Sequence, residues 1–226
     1  MINLPPLPSF DPISYKGYLT ELNAQIDRRI TDLGLGALDV IEDYVALRTQ
    51  AMDRVLARIF DEMLSDELGL FAIGGYGRGE LFLCSDVDIL ILADDLNSHT
   101  KGIEQFVATL WDIGITPAIS VRDVADTAIA VTDHTVATAL LEARLIAGND
   151  ALRHTPTESV KNAWSAKAFF IAKTGESKAR YLSHNATEYN LEPNIKSAPG
   201  TLRDLHILVW LAKFYFDDVK EFGDLS

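Results

Sequence analysis

The sequence predicts an α+β chain: a small mixed sheet flanked by helices, followed by a helical C-terminal region. Three observations carry this prediction. Leu70-Phe71-Ala72-Ile73 and Val87 through Leu92 are short branched-apolar runs bounded by glycines and acids, the pattern of buried strands. Met52, Val55, Leu56, Ile59, Phe60 and Met63 recur at helical spacing and paint one apolar stripe that needs a partner surface. Beyond Asn149 strand patterns disappear, and residues 157–190 have the Ala, Lys, Glu and Ser composition of helices.

In chain order, Pro5, Pro6, Pro8 and Pro12 forbid a regular helix and predict an extended arm. Residues 15–33 read as a helix stopped by Gly34 and Gly36, and a second helix carries the stripe. After the two strand runs, residues 100–112 read as a helix, Ile113 to Val121 as a third strand, and residues 134–147 as a further helix. Pro193 and Pro199 break the C-terminal region. Gly200 to Phe216 then restarts as a helix with Leu202, Leu205, Leu208, Val209 and Ala212 on one side. The expected organisation is an arm and helix over 1–36, an α/β domain over 37–150 that carries the site, and a helical domain over 151–226.

The 226 residues hold 20 Lys and Arg against 33 Asp and Glu, a net charge of −13. Such a field repels nucleic-acid backbones and anionic lipid surfaces, so neither is expected as a partner. No apolar run approaches the ~20 residues of a membrane span. One cysteine, Cys84, makes no internal disulfide, and no export signal is recognisable at the start of the sequence. The expected location is the cytoplasm.

The chemistry concentrates between residues 73 and 92. Gly74, Gly75, Gly77 and Gly79 follow a strand directly, which frees the backbone for unusual dihedrals and lets a phosphate approach main-chain N–H groups. No Lys-Ser or Lys-Thr follows, as a P-loop requires, and Glu80 stands where a dinucleotide fingerprint needs its last glycine. Asp86 and Asp88 open the next strand two residues apart, so strand geometry turns both to one face. Two like charges on an apolar strand are costly unless a cation compensates. Mg²⁺ or Mn²⁺ suits hard oxygen ligands that share the ion with substrate phosphates.

The run GGYGRGEL through SDVDILIL resembles the signature of the polymerase-beta-type nucleotidyltransferases, and in its fuller wording the N-terminal domain of bacterial PII uridylyltransferase/uridylyl-removing enzymes. LWDIG at 110–114, SVRD at 120–123, TALLEARLIAG at 138–148 and LEPNIKSAPGTLRDLH at 191–206 resemble that family in the expected order. The resemblance implies a polymerase-beta-like fold and transfer of UMP from UTP to a tyrosine hydroxyl of a PII-type signalling protein, in nitrogen regulation. It also implies a fragment of a larger bifunctional enzyme. Thr201 stands where the family usually has a second glycine. Adenylyl transfer to another acceptor and a catalytically silent nucleotide-sensing module stay open as alternatives.

The site residues expected on these grounds are Asp86 and Asp88 as catalytic metal ligands, with Gly74, Gly75, Gly77, Arg78, Ser85, Lys196 and Arg203 around the nucleotide. Gly75 is expected to tolerate no side chain, because a Cβ would block the close approach of a triphosphate or force a disfavoured dihedral. Arg78 has two readings, phosphate contact or bracing through Glu80. Arg203 likewise has two, triphosphate contact or pairing with Asp204 or a neighbouring helix. Ser85 is read as orienting Asp86. A third carboxylate is not evident, and Asp112, Asp123 and Glu142 are weak candidates, Glu142 reading more simply as a partner of Arg144. Cys84 reads as a small packed side chain, and Trp111, Trp164 and Trp210 as core.

Overall fold

The computed structural model describes residues 4–9, 11–33, 38–183 and 194–216. Gly34, Gly36 and Pro193 lie outside them. Two compact units emerge: one of residues 1–127 and 142–156, the other of residues 128–141 and 157–226.

The first unit opens with helices α1 (Pro12–Leu33) and α2 (Leu38–Met63). Pro12 begins α1 rather than ending the arm. The Asp11 carboxylate accepts from Ser14 N and Ser14 Oγ at 2.8 Å each, an N-cap followed by proline at the first helical position. Four strands follow, β1 (Gly69–Ala72), β2 (Val87–Ala93), β3 (Pro117–Asp123) and β4 (Arg144–Gly148), in the spatial order β3-β2-β1-β4. β1 is antiparallel to both β2 and β4, and β2 is parallel to β3, so the sheet is mixed. The α2 stripe performs as read: Val55, Leu56, Ile59 and Phe60 are buried with Ile89 and Ile91 of β2 in one core. Phe106 and Leu110 of α4 (Thr100–Asp112) complete it.

Two boundaries differ from the sequence reading. Residues 113–115 do not begin the third strand, because they close α4: Ile115 N donates to Leu110 O and Gly114 N to Trp111 O, both at 2.9 Å, with Gly114 at φ +84°. That Schellman turn delays β3 to Pro117. The helix read over 134–147 ends at Leu141 as α6 (His134–Leu141), and Arg144–Gly148 pairs with β1 as a fourth strand. A five-residue segment with an apolar Leu-Ile-Ala centre fits either period, and the pairing of Leu145 with Phe71 decides it.

α5 (Val124–Ala130) joins the two units in sequence. The second unit holds α6, most of α7 (Thr155–Ala163), α8 (Ala166–Ser183) and α9 (Leu202–Tyr215). α9 is rotated from the expected orientation: Ile207, Val209 and Trp210 are buried, whereas Leu202, Leu205 and Leu208 are exposed. The Trp210 ring lies 4.8 Å from Lys173 Nζ and 5.3 Å from the Arg203 guanidinium, and Asp204 is tied to Arg180, which together set that rotation. Trp111 is 53% exposed and Trp164 half-buried, so only Trp210 of the three tryptophans is core. Among the described residues no helix is long and apolar enough to cross a membrane.

Candidate active site

β1 ends at Ala72, and the chain turns at once into the short helix α3 (Gly74–Gly77). Ile73 N donates to Asp88 O at 3.0 Å, which ties the start of this turn to β2. Gly74 has φ +59°, and a Cβ placed on it would stand 3.3 Å from Asp88 Oδ2. The glycine therefore serves two needs at once, a left-handed backbone and closeness to a carboxylate. Gly77 is packed harder, since a Cβ there would meet Glu142 O at 2.0 Å. At Gly75 the nearest atoms would be Arg78 Nη2 at 3.7 Å and Glu80 O at 3.9 Å, and no positive φ occurs. The expected dihedral constraint on Gly75 is thus not present. It falls on Gly74, and the steric one on Gly77.

The turn is bolted from behind. Tyr76 is buried and donates its hydroxyl to Asp53 Oδ1 at 2.7 Å; burial, and then the Asp53 charge, raises its pKa far above the ordinary phenol value. Arg144 of β4 grips Asp53 of α2 at 2.7 and 3.1 Å and reaches Gly77 O at 3.3 Å. Arg144 pairs with Asp53, then, and not with Glu142. Arg78 donates from Nε and Nη2 to Glu80 Oε2 at 2.9 and 2.7 Å, while its Nη1 stands 4.0 Å from Glu142 Oε1. The bracing contact through Glu80 is thus present.

Asp86 is exposed immediately before β2, and Asp88 is half-buried within it. Val87, Ile89 and Ile91 point into the α2 core, so Asp88 shares the opposite face with Leu90 and Leu92. Across the parallel ladder Asp88 is opposite Ala118, Leu90 opposite Ser120, and Leu92 opposite Arg122. No carboxylate stands in that row. Asp123 is on the other face and caps α5, accepting from Asp126 N at 2.7 Å. Asp112 is exposed at the end of α4, and Glu142 is buried against the glycine turn. Among the described residues no group of three His, Cys, Asp or Glu could hold a metal ion. The pair still fits Mg²⁺ or Mn²⁺ chemically, because such ions take one or two carboxylates and complete their shell with phosphate oxygens and water.

Ser85 N donates to Phe82 O at 3.0 Å, and Cys84 beside it is exposed rather than packed. In the second unit Arg203 N donates to Lys196 O at 2.9 Å, which brings those two residues together at the start of α9. Arg203 does not pair with Asp204. That carboxylate accepts from Arg180, from Tyr181 Oη at 2.7 Å and from Gly200 N at 2.7 Å.

Comparison with known proteins bears on this arrangement. Residues 168–226 match the family model described as GlnD PII-uridylyltransferase. The chain is 51% identical over 203 residues to a bifunctional uridylyltransferase/uridylyl-removing enzyme of Psychrobacter cryohalolentis, covering 88% of this chain and 22% of that protein. It is 50% identical over 204 residues to the one of Psychrobacter arcticus, again covering 88% and 22%. The same enzyme of Acinetobacter baumannii is 45% identical over 182 residues, covering 78% of this chain and 20% of that protein. The chain thus spans about a fifth of the length of the curated relatives it matches, and its resemblance to them is borne out.

Proposed function

We propose that this chain is the nucleotidyltransferase part of a uridylyltransferase, with a polymerase-beta-like fold, moving UMP from UTP to a tyrosine hydroxyl of a PII-type signalling protein. The observation that carries the reading is Asp88 beside Gly74, with Asp86 two residues before it on a chain 51% identical to uridylyltransferase/uridylyl-removing enzymes. The glycine turn lies beside Asp88, and a phosphate group would approach its main chain there. Asp86 and Asp88 would hold Mg²⁺ or Mn²⁺, which when bound supplies charge neutralisation for the phosphates. The chain's own part is positioning. The Arg144–Asp53–Tyr76 bonds tie the turn to α2 and β4, Ile73 N ties its start to Asp88 of β2, and Arg78 bonds Glu80 on its far side.

The test measures pyrophosphate release from each of the four common triphosphates, with and without a PII-type protein, in Mg²⁺, Mn²⁺ or chelator. Release from UTP that depends on metal and labels the acceptor is the expected result. Preference for ATP would redirect the reading to adenylyl transfer, and tight binding without release would make the chain a nucleotide-sensing module.

A further inference from the structure

A cavity of about 330 Å³ lies in the first unit, walled by α1, α2, residues 83–87 and residues 113–116. Asp86 is part of its wall, whereas Asp88 and the glycine turn are not. The acid pair therefore has two different neighbours: the turn at Asp88 and the cavity at Asp86. We infer that this cavity receives the hydroxyl-bearing side chain of the protein acceptor, an inference that rests on the uridylyl-transfer reading above.

The argument is stereochemical. Displacement at phosphorus is in line, with the attacking oxygen opposite the leaving one. If the departing pyrophosphate lies against the glycine turn, the attacking hydroxyl enters from the Asp86 side, where the cavity opens. In that step the acceptor O–H gives its proton to water, its oxygen bonds the α-phosphorus of UTP, and the bond from that phosphorus to the pyrophosphate oxygen breaks. The lining suits a phenol. Leu19, Met52 and Ile115 offer apolar wall to a ring, and Lys16 and Arg48 bring positive charge toward an oxygen that must lose a proton. Arg48 is held in place, donating from Nη1 to Asn23 Oδ1 and from Nη2 to Leu83 O at 3.2 Å. The volume is at the small end for ligand sites, fitting a side chain better than a whole nucleotide.

Thr20 lines the cavity from an exposed position on α1, so Thr20→Trp fills it from outside the core, and Lys16→Glu reverses one charge there. For each variant of the full chain, calorimetry gives the affinity for a non-hydrolysable UTP analogue with Mg²⁺, and transfer assays give kcat/KM for a PII-type acceptor. The expected result is a loss of about tenfold or more in kcat/KM for the acceptor with nucleotide affinity unchanged. Parallel loss of nucleotide affinity would assign the cavity to the nucleoside and overturn the inference. Variants that match an active parent would overturn the cavity's role alone. A parent that neither binds UTP nor transfers UMP would overturn the transfer reading and this inference with it.

Discussion

Arg144 grips Asp53 with two hydrogen bonds, at 2.7 and 3.1 Å, across a separation of 91 residues, and Asp53 in turn accepts the Tyr76 hydroxyl. One carboxylate on α2 thereby anchors both an edge strand and the glycine turn. Replacing Arg144 with Ala leaves Asp53, 24% exposed, without its cation. The cost should be about 1–3 kcal/mol, less than for a fully buried pair because water reaches part of both groups. Urea unfolding measures it. A midpoint equal to the parent's would mean that the clamp contributes nothing.

Asp86→Asn and Asp88→Asn should each abolish transfer and metal-dependent nucleotide binding while the protein still folds. Asp86 is exposed and Asp88 half-buried, and the two carboxylates are like charges two residues apart, so relief of their repulsion offsets what removing one charge costs and can raise stability slightly. Turnover and thermal unfolding are measured on the same preparations. Near-parental turnover in Asp88→Asn would remove the metal site from the mechanism.

Much of this arrangement was legible because it is local. The stripe on α2, the helix over 100–112 and the spacing of Asp86 and Asp88 need only periods of 3.6 and 2. The rest depends on residues that the fold brings together. Asp53 is one acid on a charged helix until β4 delivers Arg144, and β4 itself is five residues whose pairing partner lies more than 70 positions earlier. The cluster showed that glycines were needed, but which glycine is tightest follows from the Glu142 carbonyl, which no spacing rule places beside Gly77.

That distinction separates two substitutions. Gly77→Ala sets a methyl group where the Glu142 carbonyl and Ala72 O already stand, at 2.0 and 3.0 Å, so backbone must move. A loss of about 1–3 kcal/mol or more is expected on denaturation. Gly75→Ala meets only ordinary contacts and should unfold like the parent, yet weaken nucleotide binding if phosphate approaches that main chain. Equal affinity in Gly75→Ala and the parent would limit the phosphate cradle to Gly74 and its neighbours on the Asp88 side.

Asp204 gives the clearest pH dependence. Burial alone would raise its pKa, but hydrogen bonds from Tyr181, Arg180 and Gly200 N outweigh that and hold the carboxyl below the ordinary carboxylate range. A folded-state pKa below the unfolded value means that the unfolded chain binds protons more readily in acid. The stabilisation is therefore complete above the unfolded value, near 3.8, and disappears as pH falls through the lower folded value. Asp204→Asn should destabilise the protein at pH 7, loosening the start of α9, while the difference from the parent shrinks steadily below about pH 4. Urea midpoints of the two proteins between pH 7 and pH 3 decide it. A gap that stays constant down to pH 3 would show that the carboxylate's charge plays no part and that only its shape matters to the turn.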